Sequence, residues 1–283
     1  LTNHIPIAVF VREFLGVSAT FIYRQMLGVK PEFYPVAICR KSANPDIFPY
    51  NKVFSVPDKP EYGDTLFERI GAKAQRAITG YYNLPGGKSY EYWEKCLKSE
   101  KCRLIHAHFG EEGIMMAPLA RRTGIPLVVT LHGYDMSRLL NRRGYPLKLK
   151  DMFNACSLVI AVSDKFRKDA IALGCPSEKI TKHYIGVPVD EFRFTERKKN
   201  KGEEIVLLQV SNFVEKKGHE HTLRAFANAL KQGINARLIL AGGGVLLDNC
   251  RNLASELGVK AKVEFLGKKP MHEISSLMEQ ADI

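Results

Sequence analysis

Apolar residues in this chain fall into short continuous runs, and between the runs they recur every three or four positions. Ile5–Val11 (IPIAVFV), Tyr34–Cys39, Val53–Val56, Arg103–Phe109 (RLIHAHF), Pro126–Leu131 (PLVVTL), Leu158–Val162 (LVIAV) and Ile180–Ile185 are runs of the first kind. They predict strands buried on both faces. Phe21–Val29, Glu111–Thr123, Leu147–Cys156 and the segment from Asp164 to Gly174 are spaced as helices. So is Asp64–Lys98, apart from a turn at Pro85-Gly86-Gly87. Pro118 falls inside Glu111–Thr123, where it predicts a kink. Strict alternation of strand and helix means a parallel sheet covered on both sides, the doubly wound α/β class.

The pattern stops at Phe192–Glu203, a charged run that reads as a linker, and restarts at Glu204. This predicts a first domain over 1–191, a linker over 192–203 and a second α/β domain over 204–283. In the second domain Ile205–Val210 reads as a strand buried on both faces. A polar loop, Ser211–Lys217, leads into a helix from Gly218 with Leu223, Phe226, Ala227 and Leu230 on one face. Arg237–Ala241 and Val263–Leu266 are the next strands, the first followed by Gly242-Gly243-Gly244 and the second by Gly267. Met271–Ala281 is a further helix.

Ligands of such sheets bind outside the carboxyl ends of the strands. His108, His132, Asp135, Ser163 and Asp164 stand at those ends in the first domain. Alternation puts His106 and His108 on one face of their strand, where His106 reads as a packed residue. Asp135 fits either a ligand contact or the N-cap of the following helix. In the second domain the loop Ser211–Lys217 carries two lysines into a helix start, where unpaired N–H groups favour an anion. Both a nucleotide-sugar diphosphate and a plain solvated connection fit that loop. The glycine-rich turn 242–244 lets backbone approach a ligand closely.

With 45% hydrophobic and 25% charged residues the composition is globular, and no apolar run reaches membrane-spanning length. None of the six cysteines forms a Cys-x-x-Cys pair, which predicts free buried thiols, a reducing cytoplasm and no metal site. The net charge of +12, from 42 basic and 30 acidic residues, suits an anionic partner. Arg138–Lys150 and Asp164–Lys168 hold much of the excess. Aromatic residues do not interleave with them as a nucleic-acid groove requires, so an anionic membrane surface is preferred over nucleic acid. A solvated basic helix face, including Arg138, Arg142 and Arg143, fits equally well.

The ordered set IHAHFG, VTLHGYD, IAVSDKFRKDAIALGCPSEKI, IGVPVDEF, VSNFVEKKGHEHTLRAF, LILAGGG, LASELG, VEFLG and MEQADI resembles the GT-B glycosyltransferases of family 4, with the flavour of bacterial exopolysaccharide enzymes. The resemblance covers nearly the whole chain. It implies two Rossmann-like domains, the first for the acceptor and the second for a nucleotide-sugar. It also implies transfer with retention of configuration, with no metal and no cofactor beyond the donor. In that scheme Lys217 contacts the diphosphate and His132 lies at the reacting sugar, the two residues implied to be catalytic. Ser211, Asn212, Gly242, Gly243, Gly244, Leu266 and Gly267 line the donor site. Gly16, Ser18 and Thr20, with His108 and Asp135, lie on the acceptor side.

Three departures stand out. Ser211-Asn212 replaces the usual Gly-Arg, so a cation is missing from the diphosphate. Gly243 stands where an acidic residue is usual. The sequence ends before the family's Glu-x7-Glu segment, which predicts an incomplete second domain. The expectation is a retaining hexosyl transfer from a nucleotide-sugar to a glycan or lipid-linked acceptor in polysaccharide assembly, on the cytoplasmic side and in peripheral contact with the membrane. The alternative is a non-catalytic nucleotide- or glycan-binding homologue.

Overall fold

The structure is a computed structural model, and it describes residues 4–16, 20–57, 65–79, 85, 87–192, 194, 196–200 and 202–283. The chain divides into two compact units, Leu1–Gly186 and Val187–Ile283.

In chain order the first unit contains β1 (Ile5–Phe10), β2 (Glu13–Phe14), α1 (Thr20–Leu27), β3 (Phe33–Cys39), β4 (Lys41–Ser42), β5 (Val53–Ser55), α2 (Leu66–Thr79) and α3 (Gly87–Ser99). It continues with β6 (Leu104–His108), α4 (Gly110–Thr123), β7 (Leu127–Leu131), α5 (Tyr145–Ala155), β8 (Leu158–Ala161), α6 (Asp164–Ala172) and β9 (Ile180–Lys182). Seven strands form one parallel sheet in the order β5-β3-β1-β6-β7-β8-β9, and β2 pairs with β4 beside it. The predicted last strand is shorter than Ile180–Ile185, ending at Lys182.

Parallel strands need helices on both faces, and the core is built accordingly. Trp93 of α3 is fully buried, edge-on to Phe10 at 5.1 Å, and donates from Nε1 to the Cys39 carbonyl at 3.2 Å. Tyr145, Met152 and Phe153 of α5 pack in the same cluster as Val129 and Leu131 of β7. All six cysteines are free and buried. Burial pushes the Cys39 thiol up to about 12, which keeps it unreactive.

The second unit contains β10 (Ile205–Val210), α7 (His219–Lys231), β11 (Ala236–Ala241), α8 (Leu247–Glu256), β12 (Val263–Gly267) and α9 (Met271–Gln280). Its sheet is parallel, in the order β10-β11-β12. The expectation that β10 is buried on both faces is corrected: Val206 is its one buried residue and Val210 is exposed. β10 is one of the two edge strands of this sheet, with β11 on one side only. On that edge Asp282 donates from its N–H to the Val206 carbonyl at 2.8 Å, and Leu208 to the Ile283 carbonyl at 2.9 Å. Arg197 lies 3.8 Å from Asp282, and Lys199 also pairs with it, so this part of the charged run packs on the second unit. Among the described residues no helix is long and apolar enough to cross a membrane.

Candidate functional site

Each unit gathers its polar residues at the carboxyl ends of its strands. In the first unit β6 places His106 and His108 on one face, ring centroids 4.3 Å apart. His106 Nε2 lies 2.8 Å from Thr130 Oγ1 on β7, the packed role read from the sequence. His108 Nδ1 lies 3.1 Å from His132 Nε2, in the turn after β7. Phe21 and Phe109 close around the His132 ring at 4.8 and 4.6 Å. Burial depresses all three imidazoles, His106 to about 4, His132 to about 3 with help from the nearby His106, and His108 well below its usual range. All three are therefore neutral at neutral pH. His132 can offer an N–H or a lone pair but no full charge. Its Nδ1 is buried and has no hydrogen-bond partner among the described residues.

Asp135 organises this turn. It is fully buried, and its carboxylate accepts from the N–H groups of Gly110 at 3.0 Å, His132 at 3.1 Å, Gly133 at 2.6 Å and Met136 at 3.1 Å. Burial raises its pKa, and the N–H groups of Gly133, His132 and Gly110 oppose that rise. The sequence offered a ligand contact or a cap for the following helix. The cap reading is corrected, because Ser137 stands at the N-cap of the turn that follows, and the carboxylate instead ties the His132 turn to the first residue of α4, one strand earlier. Gly16 and Thr20 flank residues 17–19, so Ser18 lies outside the described residues. Thr20 opens α1 directly before Phe21.

Two further acids, Glu111 and Glu112, begin α4 and are nearly buried. Arg142 lies 3.4 Å and Arg12 3.8 Å from Glu111. Arg142 makes this pair while staying exposed, as are Arg138 and Arg143, in line with the solvated stripe read from the sequence. Burial raises Glu112 from 4.5 to about 7, opposed by Arg12 and reinforced by Glu111. Between those two values the folded chain holds a proton that the unfolded chain has released, so stability falls as pH rises through the window. Glu112→Gln should therefore be more stable than the parent near pH 8, by up to about 3 kcal/mol, with no difference near pH 4. Urea unfolding followed by fluorescence of Trp93, the sole tryptophan, checks this.

In the second unit the three strand-end loops are bonded to one another. Ser211 donates from its N–H to Ala241 at 3.0 Å, Phe213 to Gly243 at 2.9 Å and Gly242 to Gly267 at 2.8 Å. A Cβ on Gly242 would stand 2.0 Å from the Ser211 carbonyl oxygen, and one on Gly244 would stand 2.5 Å from that of Phe213. These two glycines admit neighbouring backbone, a second reason for glycine beside the close approach of a ligand read from the sequence. Over Gly243 lies the stem of Lys268. Leu266 and Gly267 are half-buried at the end of β12. Asn212, Lys216 and Lys217 are exposed. Lys217 closes a 3-10 turn, Glu215–Lys217, immediately before Gly218 and α7.

His219 went unread in the sequence. It is buried, stacks on Phe213 at 3.9 Å and 15°, and reaches Ser211 Oγ with Nε2 at 3.2 Å. Burial, then the charge of Lys217, lowers its pKa. The available signal was Phe213, an aromatic residue in a mostly polar loop that needed something to pack against. Phe109 was missed as well. Its φ of 75° and ψ of 152° fall in a region that side chains rarely adopt.

Comparison with known proteins matches residues 53–191 to the family model "Glycosyltransferase Family 4" and residues 190–283 to "Glycosyl transferases group 1". The WcaL protein of Salmonella typhimurium, named for colanic acid biosynthesis as a glycosyltransferase, is 30% identical over 181 residues, covering 62% of this chain and 44% of that protein. The amylovoran biosynthesis glycosyltransferase AmsK of Erwinia amylovora is 26% identical over 178 residues, with the same two shares. The chain therefore spans less than half the length of these curated relatives. Among solved structures, Anabaena Alr3699/HepE in complex with UDP and glucose superposes with a TM-score of 0.73 at 17% identity, covering 99% of this chain and 73% of that one. The lipopolysaccharide glycosyltransferase WaaG superposes at 0.59, with 17% identity and shares of 98% and 73%. Two adjoining family models over residues 53–283 and relatives that carry the glycosyltransferase name make this chain a member of the family 4 glycosyltransferases, and its superposition on the solved chains gives the fold as GT-B.

Proposed function

We propose that the chain serves a retaining, metal-independent glycosyltransferase that moves a sugar from a nucleotide-sugar to a glycan or lipid-linked acceptor in polysaccharide biosynthesis. It requires no cofactor beyond the donor, and it works in the cytoplasm at the membrane face. Anabaena HepE is solved with UDP-glucose, which supports a uridine diphosphate donor here. The observation that carries the reading is the floor of the second unit: three interlocked loops with Lys217 exposed at the start of α7. A cation and free N–H groups beside an ordered floor suit charge that develops on a leaving diphosphate. Asn212 adds a hydrogen bond but no charge. On the acceptor side neutral His132 offers a directional hydrogen bond, oriented by His108 and by the Asp135 turn. The relatives' names are those of transferases, so a binding-only homologue is not favoured.

Calorimetric titration with UDP tests the reading. The parent chain should bind saturably, and Lys217→Ala should weaken binding at least about tenfold, the usual worth of a charge-assisted contact. Equal affinity in the two proteins would remove Lys217 from the diphosphate.

A further inference from the structure

The helix α2 presents its apolar side to solvent. Leu66 is 70% exposed, Phe67 86% and Ile70 55%, three large side chains within five residues. Ala74 and Ala77 of the same helix are exposed too. At helical spacing these five residues share one arc of the surface. Scattered apolar residues are normal on a protein surface, but a contiguous stripe on one helix marks a contact. Beside the stripe stand exposed Arg69 and Lys73, three residues after Leu66 and Ile70 respectively. By sequence the helix carries Arg69, Lys73 and Arg76 against one acid, Glu68.

An apolar arc bordered by cations fits the boundary between acyl chains and anionic headgroups. Its apolar side chains enter the hydrocarbon edge, and the basic side chains stay at the phosphates. A protein partner would match the apolar arc but gives no reason for the cationic border. The basic stretch 138–150 that the sequence offered for this task also exposes its cations Arg138, Arg142, Arg143 and Lys150, but Leu147 is its one exposed large apolar side chain, so it lacks the apolar arc. We propose that α2 is an in-plane anchor that seats the first unit on an anionic phospholipid surface. The proposal rests on the membrane-side working place put forward above, and not on the transfer chemistry.

Flotation of the whole chain with vesicles of phosphatidylcholine alone, or of phosphatidylcholine mixed with phosphatidylglycerol, tests it. The parent should float with the anionic vesicles, less so at high salt, and scarcely with the neutral ones. Phe67→Ser with Ile70→Ser should lower partition at least about tenfold, because anchoring scales with the apolar area inserted. Arg69→Glu with Lys73→Glu should abolish the preference for anionic vesicles, since each basic residue at the surface is worth about fivefold. Unfolding followed by Trp93 and titration with UDP should match the parent in both variants. The proposal is overturned if the apolar variant floats like the parent. It is equally overturned if the parent ignores vesicles, or self-associates through α2 in sedimentation instead. Vesicle binding that persists while UDP fails to bind would remove the transferase reading and leave this one standing.

Discussion

Asp135→Ala should cost the first unit roughly 3–5 kcal/mol, enough to unfold a marginal domain at growth temperature. The carboxylate accepts from four backbone N–H groups at 2.6–3.1 Å, in a site closed to water. An alanine leaves those donors without a partner, and buried donors that lose an acceptor cost their full desolvation. Three of them belong to the turn that carries His132, and the fourth opens α4, so the variant should also lose the His108–His132 contact. Asp135→Asn keeps one acceptor oxygen but turns an NH2 toward N–H groups, and should recover only part of the loss. Because Trp93 lies in the first unit, its fluorescence in urea isolates the effect. A midpoint displaced by the equivalent of less than about 1 kcal/mol would show that the turn holds without the carboxylate.

Gly242→Ala should be as damaging to the second unit, for a steric reason. The added Cβ would lie 2.0 Å from the Ser211 carbonyl oxygen and 2.8 Å from its carbon, at a φ of +149°. Both obstacles are main chain, so no rotamer relieves them. The loops after β10 and β11 must separate, losing the Ser211–Ala241 and Phe213–Gly243 bonds. We expect a loss of about 4 kcal/mol or more, and no measurable UDP binding. The matched control is one residue away. Gly243→Ala meets only the stem of Lys268, at 3.0 and 3.1 Å, and a lysine stem can move. That variant should stay within about 1 kcal/mol of the parent. Circular dichroism with UDP titration distinguishes them. Equal behaviour of the two alanines would show that backbone crowding is not what selects glycine at 242.

The architecture was legible because a parallel sheet writes itself as apolar runs between helical stretches. That His108 and His132 stand at strand ends and Lys217 just before a helix was legible in the same alternation. What stayed hidden depends on neighbours that are distant in sequence. The half-exposure of β10 reflects its place at an edge, which an isolated run of Ile, Val and Leu cannot reveal. Asp135 has its fourth donor at Gly110, twenty-five residues earlier, whereas local pattern offers only the helix that follows. The glycine-rich turn looks the same whether the close approach comes from a ligand or from backbone. For α2 the sequence indicated a helical stretch, but which side faces water was a matter of packing.

The bonds that join Ser211 to Ala241, Phe213 to Gly243 and Gly242 to Gly267 also bear on how readily a ligand is received. Loops that order only on binding give up conformational entropy at that moment, and affinity suffers. Here the three loops are ordered by one another during folding. A molecule arriving at these strand ends meets a surface already in shape, and the freedom lost on contact is mainly its own.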